Sequence, residues 1–177
     1  MLTKIGLFLS VCLAMDAVGQ SDPGPLIKMG GFVYFLDSKY NGFSAHLEFE
    51  RAFRRSQFLT SGPRIDFINF KNSDGAFMVG YEFKIYPLYW KSRKSYQGLF
   101  IGIDPVYLPK NPDIYYSRYG PGIGSLFGYQ HVFKDKISIA LEGSLIYIKD
   151  LNKQTAQYNP DHTYLYAFAC IKVGFKL

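Results

Sequence analysis

Cysteine is nearly absent: Cys12 and Cys170 are the only two in 177 residues. A small fold stapled by several disulfides is therefore excluded. Long apolar runs are missing as well. No stretch reaches the ~18 consecutive apolar residues that a membrane-crossing helix needs, and mean hydropathy is only −0.04. Histidine is limited to His46, His131 and His162. Three scattered histidines and Cys170 make no ligand-spaced set, so no metal and no other cofactor is expected. The loop acids Asp37, Asp74, Asp113 and Asp161 form no calcium-loop pattern either. Charged residues are sparse at 19%, whereas aromatic residues reach 18%, with 15 Tyr and 16 Phe against a single Trp. An apolar content of 48% excludes a disordered chain, and the length suits one domain.

Residues 1–19 read as a secretory signal peptide. Lys4 supplies the positive start, Ile5 to Leu13 a short apolar core, and Ala17 and Gly19 the small residues before a cut. Val11 before Cys12 is too large for a lipoprotein signal. Cleavage would leave residues 20–177 as one domain, with Cys170 its sole thiol and the net charge of +6 unchanged, since Lys4 and Asp16 leave together. A basic balance raises nucleic acid as a partner. Export, and a spread of Lys and Arg over turns and strands, argue against it.

From there the apolar period is two. Phe77, Val79, Tyr81, Phe83 and Ile85 share one face against Ala76, Met78, Gly80, Glu82 and Lys84; Ile137, Ile139, Leu141, Leu145 and Tyr147 oppose Ser138, Ala140, Glu142 and Ser144. Turn-rich segments separate eight such runs, at 27–36, 42–53, 58–70, 76–88, 96–107, 120–132, 137–148 and 163–177. The fold expected is all-β, an eight-stranded antiparallel up-and-down barrel.

Alternation fits both a soluble barrel with an apolar interior and a membrane barrel with an apolar exterior. Side-chain size favours the second. The polar face is rich in Gly, Ala and Ser, which suit a narrow lumen, and it carries Glu48, Glu82, Lys84, Asp104, Glu142 and Lys172 in mid-strand, where a lipid-facing charge would cost several kcal/mol. Tyr86, Tyr89, Tyr107 and Tyr147 near strand ends are expected in an aromatic girdle.

The signal-like start, the Phe127-Gly128-Tyr129-Gln130 stretch with its short turn at Lys134-Asp135-Lys136, and the alternating C-terminal strand Tyr164 to Leu177 resemble small outer-membrane β-barrels of Gram-negative bacteria, of the OmpA/OmpX type, and a related outer-membrane barrel family of unknown function. The resemblance implies a transmembrane barrel in the outer membrane, in contact with outer-membrane lipid and lipopolysaccharide. It also implies an assembly signal at Phe175 and Leu177 read by the barrel-assembly machinery, although the final residue is Leu where the pattern usually has Phe. With the N-terminus in the periplasm, the long connections 109–119 and 149–162 face outward and the even-numbered connections are expected to be short.

The lumen charges are expected to pair as a structural network that fills the interior, without forming an ion path. His46 shares a face with Ser44 and Glu48, but this is common to any strand neighbours two apart, and no catalytic set stands out. Gly120-Pro121-Gly122-Ile123-Gly124 lacks the third glycine and the strand–helix context of a nucleotide fingerprint. The outer loops, with Tyr115, Tyr116 and Arg118, are candidate contacts for an extracellular protein or glycan. The leading expectation is a structural or surface-interaction protein. Two other readings stay open: a lipid-modifying outer-membrane enzyme, and a soluble lipocalin-like barrel with Phe77 and Phe83 turned inward around an apolar ligand.

Overall fold

A computed structural model describes residues 24–35, 42–53, 56–70, 76–88, 96–110, 119–134, 136–152 and 163–177. The signal segment 1–19, Tyr89, and the loop candidates Tyr115, Tyr116 and Arg118 lie outside the described residues. Eight strands follow in chain order: β1 (Leu26–Phe35), β2 (Gly42–Phe53), β3 (Ser56–Phe70), β4 (Ala76–Ile85), β5 (Gly98–Leu108), β6 (Gly120–Phe133), β7 (Ile137–Lys149) and β8 (Thr163–Lys176). Each pairs antiparallel with the next. Pairing of β1 with β8, from Leu26↔Lys176 to Phe35↔Ala167, closes the barrel. Closure leaves no edge strand exposed.

The expected strands are all present, with one informative shift. β4 ends at Ile85, because Pro87 has no N–H to continue a ladder; Tyr86 still donates its N–H to Phe58 O at 2.8 Å. The connection between β4 and β5 therefore spans residues 86–97. This corrects the expectation that every even-numbered connection is short. Tyr96 explains how that connection is held. Its φ of 64° is left-handed, a conformation that costs a non-glycine residue roughly 1–2 kcal/mol. Its buried hydroxyl accepts from Ala52 N–H at 2.9 Å and donates to Gly24 O at 2.8 Å. The connection is thereby tied to the end of β2 and to the residues that lead into β1.

Side chains alternate as the period predicts. Leu99, Ile101 and Ile103 are each more than half exposed, while Phe100 and Asp104 between and after them are buried. β7 alternates without a break from Ile137 to Lys149. The exposed face is apolar and the charges are inside. Phe77 is 57% exposed, the opposite of what a lipocalin-like interior requires. Tyr81 stands on the outer face yet is buried; its ring packs 5.0 Å from that of Phe83, and its hydroxyl lies 3.2 Å from Ser61 Oγ. That pairing satisfies two polar groups on an apolar surface.

Two expectations about facing need correction. Tyr86 is fully buried and is no girdle residue. It lies two positions beyond Lys84 on the inward face, and its hydroxyl donates to Glu50 Oε1 at 2.9 Å. The interior is also less uniformly polar than expected. Toward the end opposite the chain termini, Ile68, Met78, Val106, Leu108, Ile146, Ile148, Tyr166 and Phe168 pack together inside the barrel. Toward the termini, Leu26, Ala52, Tyr96 and Val132 form a smaller cluster. The charged residues lie between these apolar layers.

Backbone spacing is tightest at Gly62. A Cβ there would meet the Phe49 carbonyl, with the carbonyl carbon 2.6 Å away. Gly62→Ala is expected to lower the unfolding midpoint by the equivalent of about 1–3 kcal/mol, the usual range for overpacking. Gly143→Ala is the comparison, since the atoms nearest its Cβ would be those of the Phe127 ring, 2.7 Å away, and a side chain can rotate. Urea titration of the folded protein followed by tryptophan fluorescence checks both; equal midpoints would show that the β2–β3 spacing is not the constraint.

Candidate functional site in the barrel interior

The chemistry of this chain is concentrated inside the barrel. Strand pairing places the residues before any side chain chooses a rotamer. Lys28 pairs with Glu48, Glu48 with Arg64, and His46 with Asp66, each directly across a ladder. Opposite charges in such positions attract. All six lumen residues read from the sequence, Glu48, Glu82, Lys84, Asp104, Glu142 and Lys172, are buried in one connected network.

Glu48 sits at its centre. Its carboxylate receives Lys84 Nζ at 2.6 Å, Lys28 Nζ at 3.0 Å and Lys172 Nζ at 2.8 Å. Lys172 also reaches Glu142 at 2.8 Å and Glu82 at 3.3 Å. β8 and β4 stand on opposite walls of the barrel, so the Lys172–Glu82 contact crosses the interior. Lys84 additionally pairs with Glu82 and lies 3.3 Å from Glu142, with its ammonium 5.2 Å from the Phe100 ring centroid. Arg64 serves a second group of acids: Asp104 at 2.5 Å, and Asp66 and Glu82 at 3.3 Å each. Glu50 takes Lys28, Thr60 and Tyr86.

Lys28 is the member that the strand pattern did not single out, because alternation in the first strand is blurred by Gly30 and Gly31. Its signal was its position two residues after Leu26 and opposite Glu48. Space for the network comes from small residues. A Cβ at Gly80 would lie 2.8 Å from Asp104 Oδ1 and 2.9 Å from Arg64 Nε.

Two chemical readings meet this geometry. The first is acyl-transfer chemistry, which needs a serine served by a histidine. Asp66 lies 2.5 Å from His46 Nδ1, and Glu48 lies 3.4 Å from Nε2. With a carboxylate on each ring nitrogen, His46 offers none to Ser44, whose Oγ has no hydrogen-bond partner among the described residues. The second is metal binding. His46, Glu48 and Glu82 bring ligand atoms within 4.8 Å of one another. Lys172 already stands on both of those glutamates, so an ammonium group fills the place a cation would take. The arrangement is that of a paired network that cross-braces the wall.

At the barrel's ends, Phe175 and Leu177 of the expected assembly signal are exposed on the outer face. Leu177 N–H donates to Pro25 O at 3.0 Å, which fastens the last residue beside the start of β1.

Among solved structures, the chain is similar to the crystal structure of Neisserial surface protein A (NspA), with a TM-score of 0.62, 10% sequence identity, and coverage of 89% of this chain and 100% of that one. No protein-family model matches the sequence. No curated protein matches it.

Removing one partner of a buried ion pair costs about 3–5 kcal/mol, because it strands the others. Glu48→Gln, which deprives three lysines at once, is expected to fall in that range. Glu48→Gln combined with Lys172→Gln is expected to lose less than the sum of the two single changes. Urea midpoints of the four proteins in a double-mutant cycle measure this; strict additivity would show that the pair is not coupled.

Proposed function

We propose that this protein is an integral barrel of a bacterial outer membrane, with a non-catalytic structural or surface-interaction role. The observation that carries the reading is the inversion of the barrel: a continuous exposed belt of Phe, Ile, Leu and Val surrounds a charged interior. In water so large an apolar surface would drive association. In a bilayer it is the required outer face. Likeness of fold to a protein named as a surface protein supports the same placement.

The interior is closed to solutes on this reading. An eight-stranded barrel is just wide enough for side chains to fill, and here a paired charged layer lies between two apolar clusters. Activity then falls to the ends. The odd-numbered connections, including the stretch with Tyr115, Tyr116 and Arg118, are proposed to face the cell exterior and to meet lipopolysaccharide and an extracellular protein or glycan. The leader 1–19 would direct export, and Phe175 and Leu177 would present the final strand to the barrel-assembly machinery.

Ile103 is 53% exposed in the middle of β5. Ile103→Arg is expected to cost about 2–4 kcal/mol in the bilayer and to deplete the protein from the membrane fraction. Lys110→Gln, beyond the strand, is expected to leave assembly unchanged. The measurement is the amount of membrane-fraction protein whose gel mobility shifts on boiling. A wild-type protein in the soluble fraction with no such shift would overturn the proposal. Planar-bilayer recording of the folded protein should show no steady conductance above background.

A further inference from the structure

The two ends of the barrel differ in charge. At the end that holds the chain termini, the described strand ends carry Arg51, Lys134, Lys136 and Lys176, and the one acid among the described residues near that end, Glu50, is buried in the lumen network. At the opposite end, the described basic residues are Lys110 and Lys149, and they are met by Asp150. There Lys110 and Lys149 are exposed, but Asp150 lies beside them, accepting the N–H groups of Tyr119 at 3.3 Å and Asn152 at 2.9 Å. The bias is therefore toward the termini, not toward the long connections.

Within the basic end one patch is compact. Lys134 and Lys136 flank the tight β6–β7 turn and are exposed. Lys176 N–H donates to Lys136 O at 2.8 Å, which brings the end of β8 to the same edge; Lys176 itself is half-buried, with its stem beside Gly24. Below the turn on the outer wall are Phe133 and Phe175, and Leu177 lies level with it, all three exposed. His131 packs on Phe133 with ring centroids 4.5 Å apart. Cations above a ring of large apolar side chains match the layering of a bilayer surface, phosphate outside and acyl chain inside.

We propose that this edge is a docking site for anionic phospholipid, with Lys134, Lys136 and Lys176 meeting the headgroup phosphate and Phe133, Phe175 and Leu177 the acyl chains. The inference rests on the bilayer reading above and adds a lipid preference confined to one leaflet. Charge complementarity selects the occupant: a zwitterionic lipid gains little from an edge whose strand ends carry three lysines, whereas a lipid with net negative charge gains from each.

Full-chain protein folded into phosphatidylcholine vesicles, with spin-labelled phosphatidylglycerol or spin-labelled phosphatidylcholine as the probe, tests it. The motionally restricted fraction of each probe gives its relative association with the barrel. Phosphatidylglycerol is expected to associate about threefold more strongly at low salt, with the preference shrinking as salt screens the charges. Lys134→Gln, Lys136→Gln and Lys176→Gln together should remove most of it. Lys110→Gln with Lys149→Gln at the opposite end should leave it intact. Equal association of the two probes, with the heat-shifted gel band still present, overturns the docking site alone; so does a triple variant that keeps the full preference. Loss of both the gel shift and the restricted fraction overturns the bilayer reading and this one with it.

Discussion

The interior depends on one constraint: charge buried in a narrow barrel must find its partner across the lumen or beside it on the wall. Lys172 shows what this requires. It hangs from the last strand, yet its partners Glu48, Glu82 and Glu142 come from β2, β4 and β7. None of those pairs except that with β7 can form before the sheet has curled. A partly rolled sheet would hold carboxylates and ammonium groups without partners, which is the expensive state for a buried charge. Closure and neutralisation are therefore one event. β6 contributes no charge to this layer and instead gives it room: Gly124 lies against Asp104, and Gly128 against Phe100 and the backbone at Glu142.

The exterior follows from the same partition. Every strand has two faces, and the side chains that pair across the lumen leave their neighbours pointing outward. Because the inner face is already filled by charge and by the two small apolar clusters, the remaining large apolar residues have nowhere else to go. Such a barrel gains nothing from burying its outer apolar face within itself, which is the physical ground of the bilayer reading. The Tyr81–Ser61 pair fits that setting, since two hydroxyl groups on the wall satisfy each other.

Strand number, order and facing were legible in the residues because the period-two signal is strong where both faces are distinct, as in β7. The charged positions were legible because a mid-strand Glu or Lys has one sensible direction in a barrel of this kind. Three features were not. Lys28 was hidden because glycine pairs carry no facing information. Tyr86 was placed by its nearness to a strand end, when its parity with Lys84 should have decided; hydrogen bonding to Glu50 outweighs any preference for a headgroup layer. The apolar inner layer around Ile146 and Phe168 was missed because Ile146, Ile148, Tyr166 and Phe168 break no rule of alternation. They continue it, with apolar residues on both faces, and a pattern with two apolar faces does not say which one is lipid.

That inner layer bears on where function can lie. A polar lumen open at one end would hold water, and water would lower the cost of separating the ions within it. Here apolar side chains flank the charged layer on both sides, and Tyr96 ties the longest turn at the termini end to Gly24 and Ala52. Ion pairs so enclosed are little screened by solvent, and on the proposed reading they act as a brace. On the same reading, what distinguishes it from another barrel of this fold is carried at the rims, and among the described residues the two rims differ: Arg51, Lys134, Lys136 and Lys176 at one, Lys110 and Lys149 beside Asp150 at the other. If the barrel sits in a bilayer as proposed, such a difference between its ends would give it a preferred sense wherever the two leaflets differ in charge.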